Sequence, residues 1–324
     1  MDLLIKTHIK LCGRWRLEVN ILVTGGAGFI ASHIVDRLIG LGHHVTIIDN
    51  LSTGNPIYLN RQANLYKCSI LDEEINSIFK KAQPEVVIHH AAQIDVQSSL
   101  KQPTVDAEIN IIGTIRLLEQ CKEHGVRKII YASSAAVYGA PQYLPIDEKH
   151  IIKPLSFYGI SKHTPEHYIE SFSLIYGLDY TILRYANVYG IRQDPKGEGG
   201  VISIFINKFL TGEIPVVYGD GEQTRDFIYV KDVVEANVNA IHNGSKGIFN
   251  ISCNRKTSVN QLLHQLSELF KKQVRPKYMP SRQGDIVHSY LDNTNASVHL
   301  NWTPRFTLQE GLQETYNYYS KIEI

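Results

Sequence analysis

The sequence predicts an α/β fold, a doubly wound parallel sheet followed by a smaller C-terminal α/β lobe. Three observations carry that expectation. Short apolar runs alternate with longer helical patterns from residue 19 to about 185, the runs are apolar on successive residues, and a glycine-rich turn follows the first of them. Strands buried on both faces lack inside–outside alternation, and strand–helix repeats set successive strands parallel. The strand runs are VNILVT (19–24), HVTIID (44–49), ANLYKC (63–68), EVVIHH (85–90), RKIIYAS (127–133) and LDYTILR (178–184). Helical patterns occupy 28–41, 72–82, 103–124 and 157–176. Past residue 187 the rhythm breaks. The loop GIRQDPKGEGG (190–200) leads into one apolar helix and short strands near 216–218 and 226–230, and helical patterns return at 231–242, 258–271 and 307–320. The chain thus divides into an arm (1–18), a sheet domain (19–187) to which part of 229–257 returns, and a smaller lobe (188–324).

Composition narrows the function. Hydrophobic residues make up 43% and charged residues 20% of 324 residues, enough to bury a large core and too apolar for disorder. The 33 basic and 32 acidic residues leave a formal charge of +1, so no broad positive field points to nucleic acid, and affinity for phosphate must come from local geometry. No apolar run approaches the roughly 20 residues of a membrane helix. Residues 1–18 carry Lys6, Lys10, Arg14 and Arg16 without a continuous apolar stretch. They read as a disordered arm, a short amphipathic helix or residues upstream of the functional chain. Cys12, Cys68, Cys121 and Cys253 lie far apart and form no CxxC pair, the usage of reduced thiols in the cytoplasm. His43–His44 and His89–His90 are adjacent pairs whose side chains point to opposite strand faces, so no metal is assigned.

The glycine-rich turn is TGGAGFIASH (24–33), where Gly25 and Gly28 keep a GxxGxxG spacing with Ala31 at the third position. Such glycines tighten the turn and let backbone approach a pyrophosphate that faces a helix N-terminus. Alone, this loop reads equally well as a plain strand–helix turn. Asp49 adds context, because it closes the second strand where an acidic side chain bonds the adenosine ribose diol and repels a 2′-phosphate. Its bland reading is a turn residue in DNLSTG.

Tyr158 and Lys162 are four residues apart on one helical face, where an ammonium lowers the phenol's pKa towards proton transfer at neutral pH. With 18 tyrosines, about one such pair is expected by accident. Ser134 strengthens the pair, since it lies at the carboxyl end of the fifth strand, the edge where open α/β sheets bind ligands. Alternatively Ser133 and Ser134 merely cap a strand–helix turn.

Read in order, TGGAGFIASH, DNLSTG, HHAAQIDV, SSAAVYG, YGISK and RYANVYG resemble the extended short-chain dehydrogenase/reductases, the NAD-dependent epimerase/dehydratase family acting on nucleotide sugars. The likeness is strongest to its UDP-glucose and UDP-N-acetylglucosamine 4-epimerases and spans residues 19 to about 320. It implies a Rossmann-type domain with tightly bound NAD that is not consumed. By position, Phe29 and Ile30 would meet the pyrophosphate, and Asp49, Asn50, Leu51, Ser52, Thr53 and Gly54 the adenosine ribose. Ser69 and Ile70 would face adenine, where the family usually has Asp before the apolar residue. Ala91, Ala92 and Gln93 would flank the middle of the cofactor, with Asn110 in support and Ser133 and Ala186 beside its reactive end.

The resemblance makes Ser134, Tyr158 and Lys162 catalytic, with Tyr158 and Ser134 taking the proton of a sugar 4-hydroxyl while hydride leaves C4 for NAD and later returns to the opposite face. Dehydratases of the family commonly place Asp–Glu after the serine. Here the stretch is Ala135–Ala136–Val137, which carries no proton donor, so epimerisation is favoured over elimination. For the UDP-sugar, the resemblance implies contacts from Asn187, Gly200, Val201, Val216 and Tyr218, phosphate grips from Arg225 and Arg282, and a ribose contact from Asp285. Either arginine alone reads as a surface charge. Ser289, small where some members carry tyrosine, implies room for an N-acetyl group. Rival readings are another nucleotide-sugar epimerase, reductase or dehydratase, or an NAD-binding regulatory protein without turnover. The expected partners are a UDP-sugar and a second copy in a homodimer, with neither nucleic acid nor membrane.

Overall fold

The computed structural model describes residues 18–195, 200–281 and 286–321. The arm at 1–17 and the two substrate positions Arg282 and Asp285 lie outside them. The first half alternates as the apolar pattern requires: β1 (Asn20–Thr24), α1 (Phe29–Gly40), β2 (His44–Ile48), β3 (Asn64–Tyr66), α2 (Ile75–Ala82) and β4 (Val86–His89). There follow α3 (Val96–Lys101), α4 (Pro103–Ala107), a π-helical turn (Glu108–Ile112), α5 (Gly113–Glu123), β5 (Lys128–Ser134), α6 (Phe157–Tyr176) and β6 (Asp179–Tyr185). The second part contains β7 (Asn187–Tyr189), α7 (Val201–Thr211), β8 (Val216–Tyr218), β9 (Thr224–Arg225), β10 (Phe227–Tyr229), α8 (Val230–Ala240) and β11 (Gly247–Ile251). It ends with β12 (Thr257–Ser258), α9 (Val259–Phe270), β13 (Lys277–Met279), α10 (Thr294–His299) and α11 (Leu308–Tyr319).

Seven strands form one parallel sheet in the order β11-β6-β5-β4-β1-β2-β3. This is a Rossmann-type α/β fold. Strand order reverses between β1 and β4, so the loops leaving their carboxyl ends diverge and open a crevice there. The pleat explains the continuous apolar runs. In β1, Ile21 and Val23 pack with Val35 and Leu38 of α1 and Val233 and Ala236 of α8, whereas Leu22 faces Phe79, Leu118 and Ile169 across the sheet. Each such side chain, fully removed from water, contributes about 1.5–3 kcal/mol.

Helix α6 is held at its start by Ser156, whose side chain accepts the Gly159 N–H, and ends at Gly177 in the left-handed region. Pro165 lies inside it, removing one backbone donor without ending the helix. The pattern at 103–124 resolves into α4, the π turn and α5 rather than one regular helix. A π turn inserts an extra residue, and nothing in a run such as EINII marks it beforehand. After β6 the chain builds the lobe from the two-stranded pairs β10–β7, β12–β9 and β13–β8, packed with α7, α9 and α11 around Phe205, Phe209, Leu262 and Leu312. It also sends α8 and β11 back to the sheet, where β11 pairs with β6. Among the described residues no helix is long and apolar enough to cross a membrane.

Candidate active site

At the crevice, Gly25 has φ +71°, and an added Cβ would lie 2.8 Å from the Ala91 nitrogen. Only glycine combines that conformation with so close a neighbour. The turn is fixed by Gly25 N–H to Ile48 O (2.8 Å) and Gly28 N–H to Gly25 O (2.9 Å). Gly28 is the N-cap of α1 and provides no side chain to cap it, so the first-turn N–H groups of α1, including those of Phe29 and Ile30, open towards the crevice. A cradle that a Cβ would fill, beside an uncapped helix N-terminus, fits a dinucleotide pyrophosphate.

Asp49 is buried, and its carboxylate accepts Ala27 N–H (2.9 Å) and Leu51 N–H (2.8 Å). It therefore ties the glycine turn to the loop of Asn50, Leu51, Ser52, Thr53 and Gly54, while each oxygen keeps a second lone pair for a ribose diol. Gly54 packs where a Cβ would meet Asp49 Oδ1 at 3.0 Å. The Ser69 hydroxyl accepts Leu71 N–H at 3.2 Å, which stabilises its own turn, and Ile70 is buried against Gly113.

The π turn carries Asn110, which clamps the Gln93 backbone in both directions: Gln93 N–H donates to its Oδ1 (2.8 Å) and its Nδ2 donates to Gln93 O (2.9 Å). The same amide reaches Ser161 Oγ at 2.9 Å, linking β4's loop to α6. Ala91 N–H is held by Thr24 Oγ1 at 3.1 Å. Gln93's own side chain turns away to Asp106 and to the Asp95 backbone.

Tyr158 sits in the first turn of α6, where its N–H finds Ser99 Oγ of α3 at 3.1 Å. Its phenol shares a hydrogen bond with Ser134, whose Oγ also accepts Ala136 N–H at 3.2 Å. Ser134 thus caps the turn at 135–137 and meets the tyrosine together. Ser133 behaves differently: its hydroxyl donates to Glu166 Oε1 at 2.5 Å, on the strand face away from Ser134, so its backbone is what remains for the crevice. Lys162 is buried one turn beyond Tyr158, its Nζ 4.7 Å from the Tyr131 ring centre. Burial lowers its pKa to about 8, against the opposing pull of Glu166 and Asp106. The phenol departs from the sequence expectation. Burial raises its pKa above the usual 10, Ser134 pulls it down and Asp106 pushes it up, so in the protein alone desolvation outweighs any help from the ammonium.

In the lobe, Ala186 leaves β6 with its N–H on Ile251 O (3.0 Å), and Asn187 Nδ2 donates to Asp226 O (3.2 Å). Gly200 and Val201 open α7, again without a capping side chain. Val216 and Tyr218 are exposed on β8, either side of buried Val217. Arg225 Nη1 donates to Thr224 O (2.9 Å) and Val287 O (3.4 Å). Ser289, half-buried, joins the same strand ends through its N–H on Thr224 O (3.2 Å).

Residues 21–252, more than half of the chain, match the model of the NAD dependent epimerase/dehydratase family. The chain belongs to this family. It is 48% identical to the UDP-glucose 4-epimerase of Thermotoga maritima, solved with UDP-glucose, over 93% of this chain and 98% of that one, with a TM-score of 0.91. It is 38% identical to a UDP-N-acetylglucosamine 4-epimerase of Methanobrevibacter ruminantium, solved with UDP-N-acetylmuramic acid, over 94% and 99%, with a TM-score of 0.90. A UDP-glucose 4-epimerase of Mycolicibacterium smegmatis is 39% identical over 92% of this chain and 97% of its own.

Within this family frame, sequence reasoning passed over several residues that build the site. Gly26 packs where a Cβ would meet Ile47 Cγ2 at 2.6 Å. Glu166, one turn past Lys162, receives Arg184 at 3.1 and 2.6 Å and His163 at 3.1 Å. Those bonds overcome burial and hold its carboxyl at about 2. His89 and His90 are wedged under the cradle: His89 between Thr24 Oγ1 (2.7 Å) and Thr114 Oγ1 (2.9 Å), His90 against Asn237 and Tyr185. The repeat of four along α6, from Tyr158 through Lys162 to Glu166, was the available clue.

Proposed function

We propose that this chain is an NAD-dependent 4-epimerase of UDP-linked hexoses, interconverting UDP-glucose and UDP-galactose. The observation that carries the reading is the hydrogen bond shared by Tyr158 and Ser134 beside buried Lys162, at the carboxyl edge of the sheet. It is followed by Ala135, Ala136 and Val137, whose side chains carry no proton donor for elimination. The relatives named UDP-glucose 4-epimerase support it.

Bound NAD would supply a hydride acceptor beside C4, would return the hydride, and would add positive charge near the phenol. Asp49, the uncapped start of α1 and the Asn110 clamp on Gln93 would hold it. Tyr158, relayed by Ser134, takes the proton of the sugar's 4-hydroxyl and gives it back after the sugar turns about its diphosphate. Proton and hydride both return, so only the configuration at C4 changes. Asn187, the start of α7, Tyr218 and Arg225 grip the UDP part, with Arg282 and Asp285 completing the set. The sheet domain (19–187, with α8 and β11) holds the cofactor and the lobe holds the sugar nucleotide.

Ser289 leaves room beside the 2-substituent, so UDP-N-acetylglucosamine is also a substrate, a reading supported by the methanogen epimerase above. A homodimer is supported by apolar side chains exposed on α6 and its neighbours, among them Phe157, Ile160 and Tyr168 with Val105 and Ile112. Three free cysteines, Cys68, Cys121 and Cys253, suit the cytoplasm.

The test is incubation with UDP-glucose and UDP-N-acetylglucosamine separately, without added NAD, followed by separation of the isomers. Both are converted, and Tyr158→Phe loses about 10²–10⁴-fold in kcat. Failure of the wild-type protein to form UDP-galactose overturns the proposal.

A further inference from the structure

Asp106 is 1% exposed on α4, and nothing above gives it a task. Two amides converge on one of its oxygens: Gln93 Nε2 at 2.7 Å and Asn110 Nδ2 at 3.3 Å, both donating to Oδ1. Both donors belong to the segments that flank the crevice. Its charge reaches further, since it acts on Tyr158 and on Lys162, favouring the protonated form of each.

A charge balance around Lys162 distinguishes Asp106 from its neighbours. On the lysine's own helix lies Glu166, but Arg184 of β6 makes two bonds to it at 3.1 and 2.6 Å and neutralises it. From β4 come His89 and His90, kept neutral by burial, and from β5 comes the uncharged Tyr131. Tyr158 itself faces Ser134 and Asp106. What remains is one buried ammonium and one buried carboxylate. Buried charges persist only when balanced, because desolvation otherwise drives them neutral.

We propose that Asp106 is a positioning residue that balances the Lys162 ammonium, keeping it charged beneath the cofactor while anchoring Gln93 and Asn110. The inference rests on the epimerase reading. It goes beyond it in assigning the lysine's counter-charge to α4 rather than to Glu166 on the lysine's own helix. A cationic nicotinamide bound close by makes that balance more necessary, since like charges would otherwise disfavour the ammonium.

Asp106→Asn separates charge from hydrogen bonding, because its Oδ1 still accepts both amides. The measurement is kcat for UDP-glucose against pH on the holoenzyme. Losing the negative charge lowers the pKa of both Tyr158 and Lys162, so both limbs of the profile move to lower pH, by about one unit. KM stays within about twofold, and Asp106→Glu returns the limbs to their wild-type positions. A variant whose rate falls equally at every pH, with both limbs unmoved, shows Asp106 to be structural and overturns the proposal. The wild-type protein gives a second reading that needs neither turnover nor a folded variant. The ε-carbon resonance of Lys162 titrates with a midpoint at or above about 8, as expected for a balanced ammonium, and a midpoint below about 7 overturns the assignment. Wild-type protein inactive on UDP-glucose would remove the epimerase reading, while this titration would still decide for or against Asp106.

Discussion

The sheet domain and the lobe build their halves of the crevice in opposite ways. In the sheet domain, backbone does most of the binding: a glycine at φ +71°, a helix start without a cap, and a carboxylate that bonds two N–H groups across one turn. In the lobe, side chains on short strands do it, and Arg225 and Ser289 meet only because β9 and the segment after residue 286 exchange hydrogen bonds. A backbone site tolerates almost no change at a few positions. A side-chain site loses affinity in portions and leaves the fold intact.

The largest effect should come from breaking the backbone half. Gly25→Val puts a β-branched side chain at a left-handed φ, with its Cβ 2.8 Å from Ala91 N. The strain and clash exceed about 3 kcal/mol, and the cradle cannot close. The purified variant should lack bound NAD, measured by release on denaturation, and lose over about 10³-fold in activity. Retention of the dinucleotide at wild-type stoichiometry would break the comparison.

That contrast also explains what the sequence disclosed. Glycine spacing, Asp49 and the Tyr158–Lys162 pair are local patterns whose geometry follows from one turn or one helix, so they could be read directly. The strands β1, β2, β4, β5 and β6 followed from apolar runs for the same reason. The π turn that aims Asn110 depends on packing between α6 and the crevice, and no residue type encodes it. Glu166, Arg184 and Asp106 were silent because a buried charge in sequence looks like a surface one, and only the fold shows its partner. In the lobe, β9, β12 and β13 are two or three residues long, below any periodicity, so resemblance alone pointed to Arg225 and Ser289.

Acid should separate the two halves next. Burial lowers His33 and His90 to about 4, and His89 lower still. Above pH 6.5 these rings are neutral in both folded and unfolded chains. Between 6.5 and 4 the unfolded chain binds protons that the native one refuses, so stability falls as pH falls, by about 2 kcal/mol per histidine from pH 7 to pH 5. At the lobe junction Asp226 works in the opposite sense. Burial raises it to about 6, above its unfolded value of 3.8, so protonation between those values favours the folded state. Urea unfolding at pH 7 and pH 5 should show net acid loss, and His90→Gln should remove about one histidine's share of it. An unchanged pH slope in that variant would show that His90 is charged in the folded chain.

In the lobe the effects shrink. Arg225 is held by the carbonyls of Thr224 and Val287, which aims it without neutralising it. Truncation to alanine removes a charge-assisted contact worth about 1.5–3 kcal/mol and should raise KM for UDP-glucose by roughly ten- to a hundredfold. kcat should change little and NAD should stay bound, because the cradle is untouched. A loss confined to kcat would place the arginine with the chemistry instead.

Ser289→Tyr should have the smallest effect on UDP-glucose and the most selective one. The backbone of residue 289 is fixed by its N–H on Thr224 O, so a larger side chain enters a site whose position is already set. If that site borders the sugar's 2-substituent, a hydroxyl still fits and an acetamido group does not. Pocket size discriminates by about 1–3 kcal/mol, so kcat/KM for UDP-N-acetylglucosamine should fall by at least about tenfold, with that for UDP-glucose held within about threefold. Equal loss on both sugars would mean that the tyrosine disturbs the β9 edge rather than the pocket. The lobe would then share the intolerance of the glycine cradle, and the distinction between the two halves would fail where it is easiest to measure.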